Sequence, residues 1–513
     1  MREKLLRVQR ALSAMALVAV AALFGALAVC GQLVTSQLTT SGGLSENTVL
    51  VPNALLLNLV LTLALGVGLW LVSAALRRFA RVRLTGVLAA LWLIGTLAFL
   101  LGAQTQQIYD FEYVMEGARL FARGNYKMMS MDYFNAYGYQ LGFCLPMEIL
   151  LRVMPSLDIN LFMQATNVLL SVAAAGVLVA LCEVLAGRRT RYAAAALYLT
   201  FLPGMLYCSF VYATMPMIFL CACAFLCFAL YLQRRRVGLA AVAGVCVAVA
   251  VMLKPNAYVP LLSLLICALV DGLTSRDLKL LACLLLGTAL AVLLARAAIW
   301  QYELRSGVRI APEISAAARL SMGLQRENAQ AGWYNRYFER FYPLDVTMEQ
   351  EHAIAMADVS ARLAEFRADP AMAAAFVRDK MLSQWLEPTY GTMWYGNLCE
   401  QTGPLAGMAR LVYAQGSGLR AALERYMAVW QQALYALAAV GTASALCRRG
   451  NAAQLMLPVA ILGGFLYHMI FEAKSQYIYV YAFYAIPMAA QGLCALEDAA
   501  RRALAMRGGK KGV

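Results

Sequence analysis

The chain has 513 residues, of which 62% are hydrophobic and 14% are charged. A soluble domain is usually about 45–50% apolar and about 25% charged, so this composition excludes an ordinary soluble protein and predicts a polytopic membrane protein. The formal charge of +15 does not predict nucleic-acid binding, because the basic residues stand in short clusters between apolar segments and no basic face is interleaved with aromatic residues.

The N-terminal segment carries Arg2, Lys4, Arg7 and Arg10 ahead of a long apolar run. At more than about 20 residues, this run is longer than the apolar core of a signal peptide. No small-residue cleavage site stands out after it. We therefore predict that the segment is an uncleaved first membrane span.

Membrane spans need about 20 apolar residues. Reading along the chain, we predict spans at 11–34, 53–76, 84–103, 160–186, 192–211, 214–232, 238–254, 256–271, 278–299, 427–446, 453–470 and 477–495. With the N-terminus inside, every loop that this topology places in the cytoplasm is basic, and so is the C-terminal tail. The sequence therefore predicts an all-α polytopic protein of the cell membrane, with about 12 transmembrane helices and both termini in the cytoplasm.

One apolar segment, 138–155, is not counted as a span. It is short, contains Pro146, and has Glu148 and Arg152 one helical turn apart. This pattern is typical of an amphipathic helix that lies on the outer membrane surface. Counting it as a span would place the basic cluster 188–191 outside the cell, against the preference of basic loops for the cytoplasmic side.

The topology divides the chain into three regions. Residues 1–299 form an N-terminal transmembrane region whose external loop, 104–159, is the predicted catalytic loop. Residues 300–426 form a mainly helical extracytoplasmic cap, and residues 427–513 hold the C-terminal transmembrane helices and the basic tail.

Two helix starts are predicted in the cap. Residues 347–350 have the spacing of a capping box, and Asp369 precedes Pro370 as an N-cap precedes a first-turn proline. The second helix should end before Pro388.

Two acids, Asp110 and Glu112, stand just beyond the outer end of the span at 84–103. Charged groups near the bilayer cost free energy unless they face water, a partner or a substrate. We predict a functional site at this position. The alternative is that the two acids only solvate the end of the helix.

Two lysines lie at predicted outer ends of helices. Lys254 stands at the junction of two spans, and Lys474 lies in the short external segment 472–477. Both are point-charge donors of the kind that bind phosphate. Alternatively, Lys254 only anchors a helix end with its ammonium in water, and Lys474 forms an ion pair with Glu472.

Metal binding by cysteine and histidine is not predicted. Most of the 13 cysteines lie in apolar runs, where cysteine behaves as a small hydrophobe, and there are only two histidines. His468 and Glu472 are one helical turn apart, but two ligands are too few for a metal site.

Several short motifs, in this order along the chain, resemble bacterial membrane glycosyltransferases of the GT-C superfamily, close to the protein-mannosyltransferase-like members of family 39. They are Asp110 with 116–124, then 137–142, 253–256, 332–335 with 380–388, and 468–477. The chain departs from the family pattern at Gly138 and Tyr139, where proline and asparagine are usual, and at Gln476, where arginine is common.

The resemblance implies an enzyme that moves a sugar from a polyprenyl-phosphate carrier to a glycan, lipid or protein acceptor at the outer face of the bilayer. It implies no certain cofactor and leaves a divalent metal ion open. The residues expected to act are Asp110 as general base or acceptor-binding acid, Glu112 as its support, Lys254 and Lys474 at the donor phosphate, and Tyr137, Gln140, Asn256, Glu472 and Tyr477 as substrate-binding groups.

Three other functions remain open at this stage. The first is a twelve-span secondary transporter, although the two halves of the chain show no internal similarity of the kind that transporters have. The second is a catalytically inactive relative that acts in cell-envelope assembly, and the third is a ligase that moves a whole oligosaccharide rather than one sugar.

Overall fold

The computed structural model describes residues 2–39, 46–130, 132–310, 314–327, 330–341, 346–446 and 452–509. Nearly all of these residues are helical, as expected for a polytopic helical membrane protein.

Thirteen helices and one hairpin form the N-terminal region. The elements are α1 (Arg2–Leu33), β1 (Val34–Thr39), β2 (Asn47–Pro52), α2 (Leu55–Arg78), α3 (Leu84–Ala103), α4 (Tyr109–Ala122), α5 (Asp132–Ala136), α6 (Leu141–Val153), α7 (Ile159–Ala186), α8 (Arg188–Leu199), α9 (Leu202–Leu206), α10 (Thr214–Arg234), α11 (Val237–Leu253), α12 (Tyr258–Ser275) and α13 (Lys279–Ser306).

The remaining elements form the cap and the C-terminal helices. They are α14 (Ala316–Leu324), β3 (Arg326–Glu327), β4 (Gln330–Ala331), α15 (Met348–Ala368), α16 (Pro370–Trp385), α17 (Thr392–Leu398), α18 (Ala406–Tyr413), α19 (Gly418–Leu446), α20 (Ala452–Ile470) and α21 (Ser475–Gly509). Short 3₁₀ turns lie at Ala80–Val82, Lys127–Ser130, Gly138–Gln140, Tyr207–Ser209, Pro255–Ala257 and Tyr337–Phe341.

Each of the twelve predicted spans falls on helix, but fewer than twelve qualify as spans by themselves. Among the described residues, nine helices are long and apolar enough to cross a membrane, and the pair α8 and α9, bent by 63°, raises the number to ten. The predicted span 238–254 is the short helix α11, and 427–446 is part of α19. Polar side chains lower the hydropathy of α19.

Those polar side chains in α19 are buried and hydrogen-bonded. Gln432 donates to the carbonyl of Gly31 at 2.6 Å and accepts from Asn58 at 2.6 Å, which links α19 to α1 and α2. Gln431 donates to Tyr390 at 3.2 Å. Since apolar surface does not drive helices together in lipid, such bonds and close packing hold a bundle.

The tightest crossing joins α19 and α21 through two glycines. A Cβ atom on Gly441 would lie 1.9 Å from the carbonyl oxygen of Met488, and one on Gly492 would lie 1.9 Å from that of Leu437. Only glycine lets the two backbones approach this closely.

The antiparallel hairpin β1–β2 was not predicted. It connects α1 to α2 and pairs Val34 with Pro52 and Thr39 with Asn47. The sequence of this connection is short, mostly polar and uncharged apart from Glu46, so it carries no clear alternating pattern.

The cap confirms both predicted helix starts. Thr347 and Gln350 form a reciprocal capping box at the start of α15. Asp369 caps α16 by accepting from the Met372 amide at 2.9 Å, and α16 ends at Trp385, before Pro388.

The segment 138–155 is the helix α6, and it is not among the helices of membrane-spanning length. Glu148 and Arg152, one helical turn apart, form an ion pair at 2.8 Å. Glu148 is buried and also pairs with Arg305 of α13, so α6 is fastened to the bundle. Arginine hydrogen bonds hold the pKa of Glu148 below its usual value against the effect of burial.

Basic residues from three predicted cytoplasmic segments meet at one carboxylate. Glu497 of α21 lies 3.0 Å from Arg77, 3.0 Å from Arg189 and 2.6 Å from Arg501. The other end of α21 follows Lys474, about 33 Å away along the helix axis.

Candidate functional site

Asp110 lies in the first turn of α4, where the helix dipole favours a carboxylate. The residue before it, Tyr109, has a φ of +52°, in the left-handed region that a tyrosine rarely adopts. Burial raises the pKa of Asp110, while the positive charges of Lys474 and Lys254 act in the opposite direction. The acid is half-buried and lies within electrostatic range of both predicted phosphate-binding lysines.

Lys254 caps the C-terminal end of α11 and is followed by Pro255, which starts a 3₁₀ turn. Its side chain is buried, with only 6% of its surface exposed. The ammonium donates to Thr214 Oγ1 at 3.0 Å and lies 3.8 Å from the centre of the Tyr212 ring. Burial lowers the pKa of Lys254 to about 7. The alternative of a lysine extended into water is therefore wrong.

Lys474 lies in the turn between α20 and α21 and pairs with Glu46 at 2.8 Å. The sequence analysis considered Glu472 as its partner, but the ion pair is formed by Glu46, which precedes β2. Burial opposes the charge of Lys474, yet Glu46 and the neighbouring acids raise its pKa.

A chain of side chains begins at this ion pair. The Tyr395 hydroxyl lies 2.6 Å from Glu46 Oε1 and 3.2 Å from Gln476 Oε1. Gln476 is buried, and its other end donates to the hydroxyl of Tyr207 at 3.0 Å. Gln476, where the family commonly has arginine, therefore links two tyrosines.

The same chain continues to the second lysine. Tyr207 lies 3.2 Å from the Thr214 hydroxyl, which accepts from Lys254. An uninterrupted series of contacts thus joins the Glu46–Lys474 pair to Lys254. Residues from the hairpin, the cap, α10, α11 and α21 hold one another in place along it.

Tyr137 and Gln140 lie at the two ends of the 3₁₀ turn that precedes α6. Gln140 is buried and donates to the hydroxyl of Tyr212, the ring that faces Lys254. Tyr137 packs against Tyr133, with ring centres 5.3 Å apart. Burial raises the pKa of Tyr137, and the charges of Glu472 and Asp110 act in the same direction.

Glu472 lies in the turn between α20 and α21, and Tyr477 lies in the first turn of α21. The Tyr477 hydroxyl donates to Glu472 at 3.1 Å, and its ring stacks on His468 at 5.2 Å. His468 contacts the backbone carbonyl of Glu472 at 3.4 Å, so the two residues are close, as their spacing predicts. Burial raises the pKa of Glu472, opposed by Lys474.

Two predicted site residues, Glu112 and Asn256, are not part of the contacts described above. Glu112 is exposed, and two residues along α4 turn its side chain about 200° away from Asp110. The structure therefore does not bring Glu112 to the lysines. Asn256 is half-buried in the turn Pro255–Ala257, two residues after Lys254.

Across the described ranges, no group of three His, Cys, Asp or Glu side chains is arranged to hold a metal ion.

Glu46 is the site residue that sequence reasoning missed. A signal was present, because Glu46 is the only charged residue between Arg10 and Arg77. A single carboxylate between two membrane spans is a candidate functional residue for the same physical reason as Asp110. Its partner, Lys474, is more than 400 positions away in the sequence, so the pairing itself could not be read from spacing.

Comparisons with known proteins give little further information. No family model matches the chain, and no curated protein matches it. Among solved structures, the chain is similar to the archaeal oligosaccharyltransferase AglB from Archaeoglobus fulgidus, in complex with an inhibitory peptide and a dolichol-phosphate, with 11% identity and a TM-score of 0.40. The match covers 85% of this chain and 52% of that protein, so the chain spans about half its length. A likeness at this level decides neither family nor activity.

Proposed function

We propose that the chain is a membrane glycosyltransferase that moves a sugar from a polyprenyl-phosphate carrier to an acceptor at the outer face of the membrane. The observation that carries the proposal is Lys254, a buried lysine that contacts Thr214 and Tyr212 and lies within electrostatic range of Asp110. Within the described residues its ammonium has no ion-pair partner. A strongly perturbed group beside a charged partner is a candidate functional site.

A bound phosphate would compensate the buried positive charge of Lys254, which has no ion-pair partner among the described residues. Burial works against the charged form of Lys254, as its lowered pKa indicates. Charge-assisted hydrogen bonds to phosphate oxygens are among the strongest that an ammonium makes. In this proposal Lys254 is the main contact to the donor phosphate, and Lys474 adds positive potential while staying paired with Glu46.

Asp110 supplies the acid–base step in this proposal. The acceptor hydroxyl oxygen forms a bond to the anomeric carbon, and the bond between that carbon and the phosphate oxygen breaks. The hydroxyl proton passes to the Asp110 carboxylate, and the carrier phosphate leaves with the bonding electrons. A raised carboxyl pKa suits a general base, because it brings the group closer to the working pH.

We assign substrate binding to the polar residues predicted near Asp110 and the two lysines, which are Tyr137, Gln140, Glu472, Tyr477 and Asn256. The catalytic loop 104–159, the cap 300–426 and the transmembrane regions keep the roles that the sequence suggested. We propose that Glu112 has no catalytic role, because it is exposed on the other face of α4.

The location of the polar groups supports a transferase over a transporter. Asp110, Lys254 and Lys474 all lie at helix ends or in turns. A transporter binds its substrate near the middle of the bilayer, between discontinuous helices. A site at helix ends suits a carrier whose phosphate lies at the interface and whose tail lies in lipid.

Mass spectrometry of co-purifying lipids tests the proposal. We expect a polyprenyl-phosphate sugar to be enriched on Asp110→Asn relative to wild type, because the donor binds and its turnover stops. Glu112→Gln is the matched control, an acid of the same helix turn, and should resemble wild type. Failure to find a polyprenyl phosphate on any of the three proteins would reject the donor class, and full transfer by Asp110→Asn would reject the assigned base.

A further inference from the structure

A second cleft lies beside the candidate site and has no role in the chemistry above. It has a volume of about 190 Å³ and is formed by four separate parts of the chain. These are the base of the hairpin β1–β2, the turn at 387–389, the start of α17 and the first turns of α19.

The polar side chains of this cleft are varied. Gln37, Asn53, Glu387, Glu424 and Arg425 all line it. Together they offer amide, carboxylate and guanidinium groups, which both donate and accept hydrogen bonds. Sugar hydroxyls also do both, so this mixture suits a carbohydrate.

Trp394 adds an unpaired hydrogen-bond donor to the lining of the cleft. Its indole lines the cleft and is 2% exposed. No acceptor for its Nε1–H exists among the residues that the structure describes. Buried polar groups are nearly always paired, so an unpaired one calls for an explanation such as a ligand.

The charges of the cleft favour a neutral ligand. Glu387 is buried and takes hydrogen bonds from the Thr389 amide at 2.9 Å and the Gly391 amide at 2.7 Å. Glu424 pairs with Arg420 at 2.7 Å. With two acids and two arginines in its lining, the cleft has no net charge to attract an anion, and its polar walls do not suit a lipid tail.

Trp394 also connects the cleft to the candidate site. Its ring stacks on Tyr109, with centres 6.3 Å apart, and Tyr109 is followed by Asp110. The residue after Trp394, Tyr395, contacts Glu46. The lining of the cleft is therefore in direct contact with residues that flank Asp110 and Lys474.

We propose that this cleft binds a neutral sugar unit of the acceptor, so that the acceptor is a glycan. The assignment of this sugar to the acceptor rests on the proposed transferase function. Binding of carbohydrate in the cleft does not depend on it. The cleft would hold a sugar next to the one whose hydroxyl reaches Asp110.

Saturation-transfer NMR on the purified full-length chain tests the binding, with cellobiose, maltose and mannobiose as neutral probes and glucose 6-phosphate as an anionic one. We expect at least one disaccharide to bind and the phosphate to bind more weakly. Trp394→Phe and Arg425→Gln should each weaken binding about threefold to tenfold, the usual effect of losing one hydrogen bond. Arg425 lies partly exposed on α19, so its replacement carries little risk to folding.

Arg410→Gln, an exposed arginine of α18, is the control and should bind like wild type. The inference is overturned if no disaccharide binds, or if both cleft variants bind unchanged. Asp110→Asn separates the two proposals, because it should lose transfer and keep disaccharide binding. If Asp110→Asn keeps transfer while the cleft variants lose binding, the assigned base fails and the carbohydrate site stands. If no polyprenyl phosphate co-purifies with the wild type or Asp110→Asn while the cleft variants lose disaccharide binding, the proposed lipid-linked donor fails and the carbohydrate site again stands.

Discussion

Lys254 is the residue at which stability and function should change in opposite directions. Lys254→Met keeps an apolar stem of similar length and removes an ammonium that is buried without an ion pair. Burying an uncompensated charge is costly, so thermal stability should stay the same or rise. Affinity for a polyprenyl phosphate should fall at least tenfold, because the strongest donor contact is gone.

Lys279→Met, an exposed lysine at the start of α13, is the matched control for this measurement. It should change neither the melting temperature nor the amount of carrier that co-purifies. A Lys254→Met protein that is less stable and binds carrier normally would make Lys254 a structural residue.

The same lysine predicts a pH dependence of carrier binding. Its pKa in the folded protein is about 7, below the ordinary value of 10.5, because of burial; Asp110 raises it and Lys474 lowers it. Above about pH 7 the empty site loses this charge, so affinity for the phosphate should fall as the pH rises from 7 to 9. The Lys254→Met profile should lack this decrease.

The lowered pKa of Lys254 also determines how its contribution to the stability of the fold changes with pH. Between the folded pKa of about 7 and the unfolded value of 10.5, the unfolded chain binds more protons at this position than the folded chain. The contribution of Lys254 to stability therefore rises with pH across that interval. A thermal-unfolding series in which Lys254→Met removes part of this rise would confirm it, and identical pH profiles for the two proteins would contradict it.

At the scale of elements, the hairpin β1–β2 should be coupled to the α20–α21 turn through one ion pair. Glu46→Gln leaves Lys474 buried without its partner, which is typically worse than removing both groups. We expect Glu46→Gln to lower the melting temperature by several degrees and the double variant Glu46→Gln with Lys474→Met to recover much of the loss. Thermal unfolding of the single and double variants measures this coupling. Additive losses would mean that the pair is not coupled.

Helix crossing provides a second prediction at this scale. Gly441→Ala places a methyl group 1.9 Å from the Met488 carbonyl oxygen, so α19 and α21 must separate. The expected result is a large loss of folded protein in size-exclusion chromatography. Gly176→Ala on α7 is the control, since nothing lies within 4 Å of its Cβ position. Equal behaviour of the two variants would show that the crossing tolerates separation.

The elements also show what a sequence can and cannot predict. Apolar runs located the helices, and local side-chain spacing located the starts of α15 and α16, because these depend on neighbours in the chain. The hairpin and the partner of Lys474 were missed, because they depend on contacts between distant segments. Asp110 and Lys254 were selected for their charge at a helix end, which is also a local property. The buried state of Lys254 was not predictable, since it depends on Tyr212 and Thr214 packing over it.

For the whole molecule, the main prediction concerns the orientation in the membrane. Twelve spans place both termini on the same side, and so do ten, whereas nine would separate them. Arg77, Arg189 and Arg501 meet at Glu497, so three segments predicted to be cytoplasmic share one end of the bundle. Positive residues favour the cytoplasmic side, and we therefore expect the end of α21 to face the cytoplasm.

A C-terminal fusion measures this directly. Green fluorescent protein fused after the last residue should fluoresce, and alkaline phosphatase at the same position should be inactive. Because α21 runs from Lys474 at one end to Glu497 about 33 Å away, a cytoplasmic C-terminus would place Asp110 and the two lysines outside, where nucleotide sugars are absent and a lipid-linked donor is required. An active phosphatase fusion would reverse the orientation, place the site in the cytoplasm and leave nucleotide sugars available as donors in place of a polyprenyl phosphate.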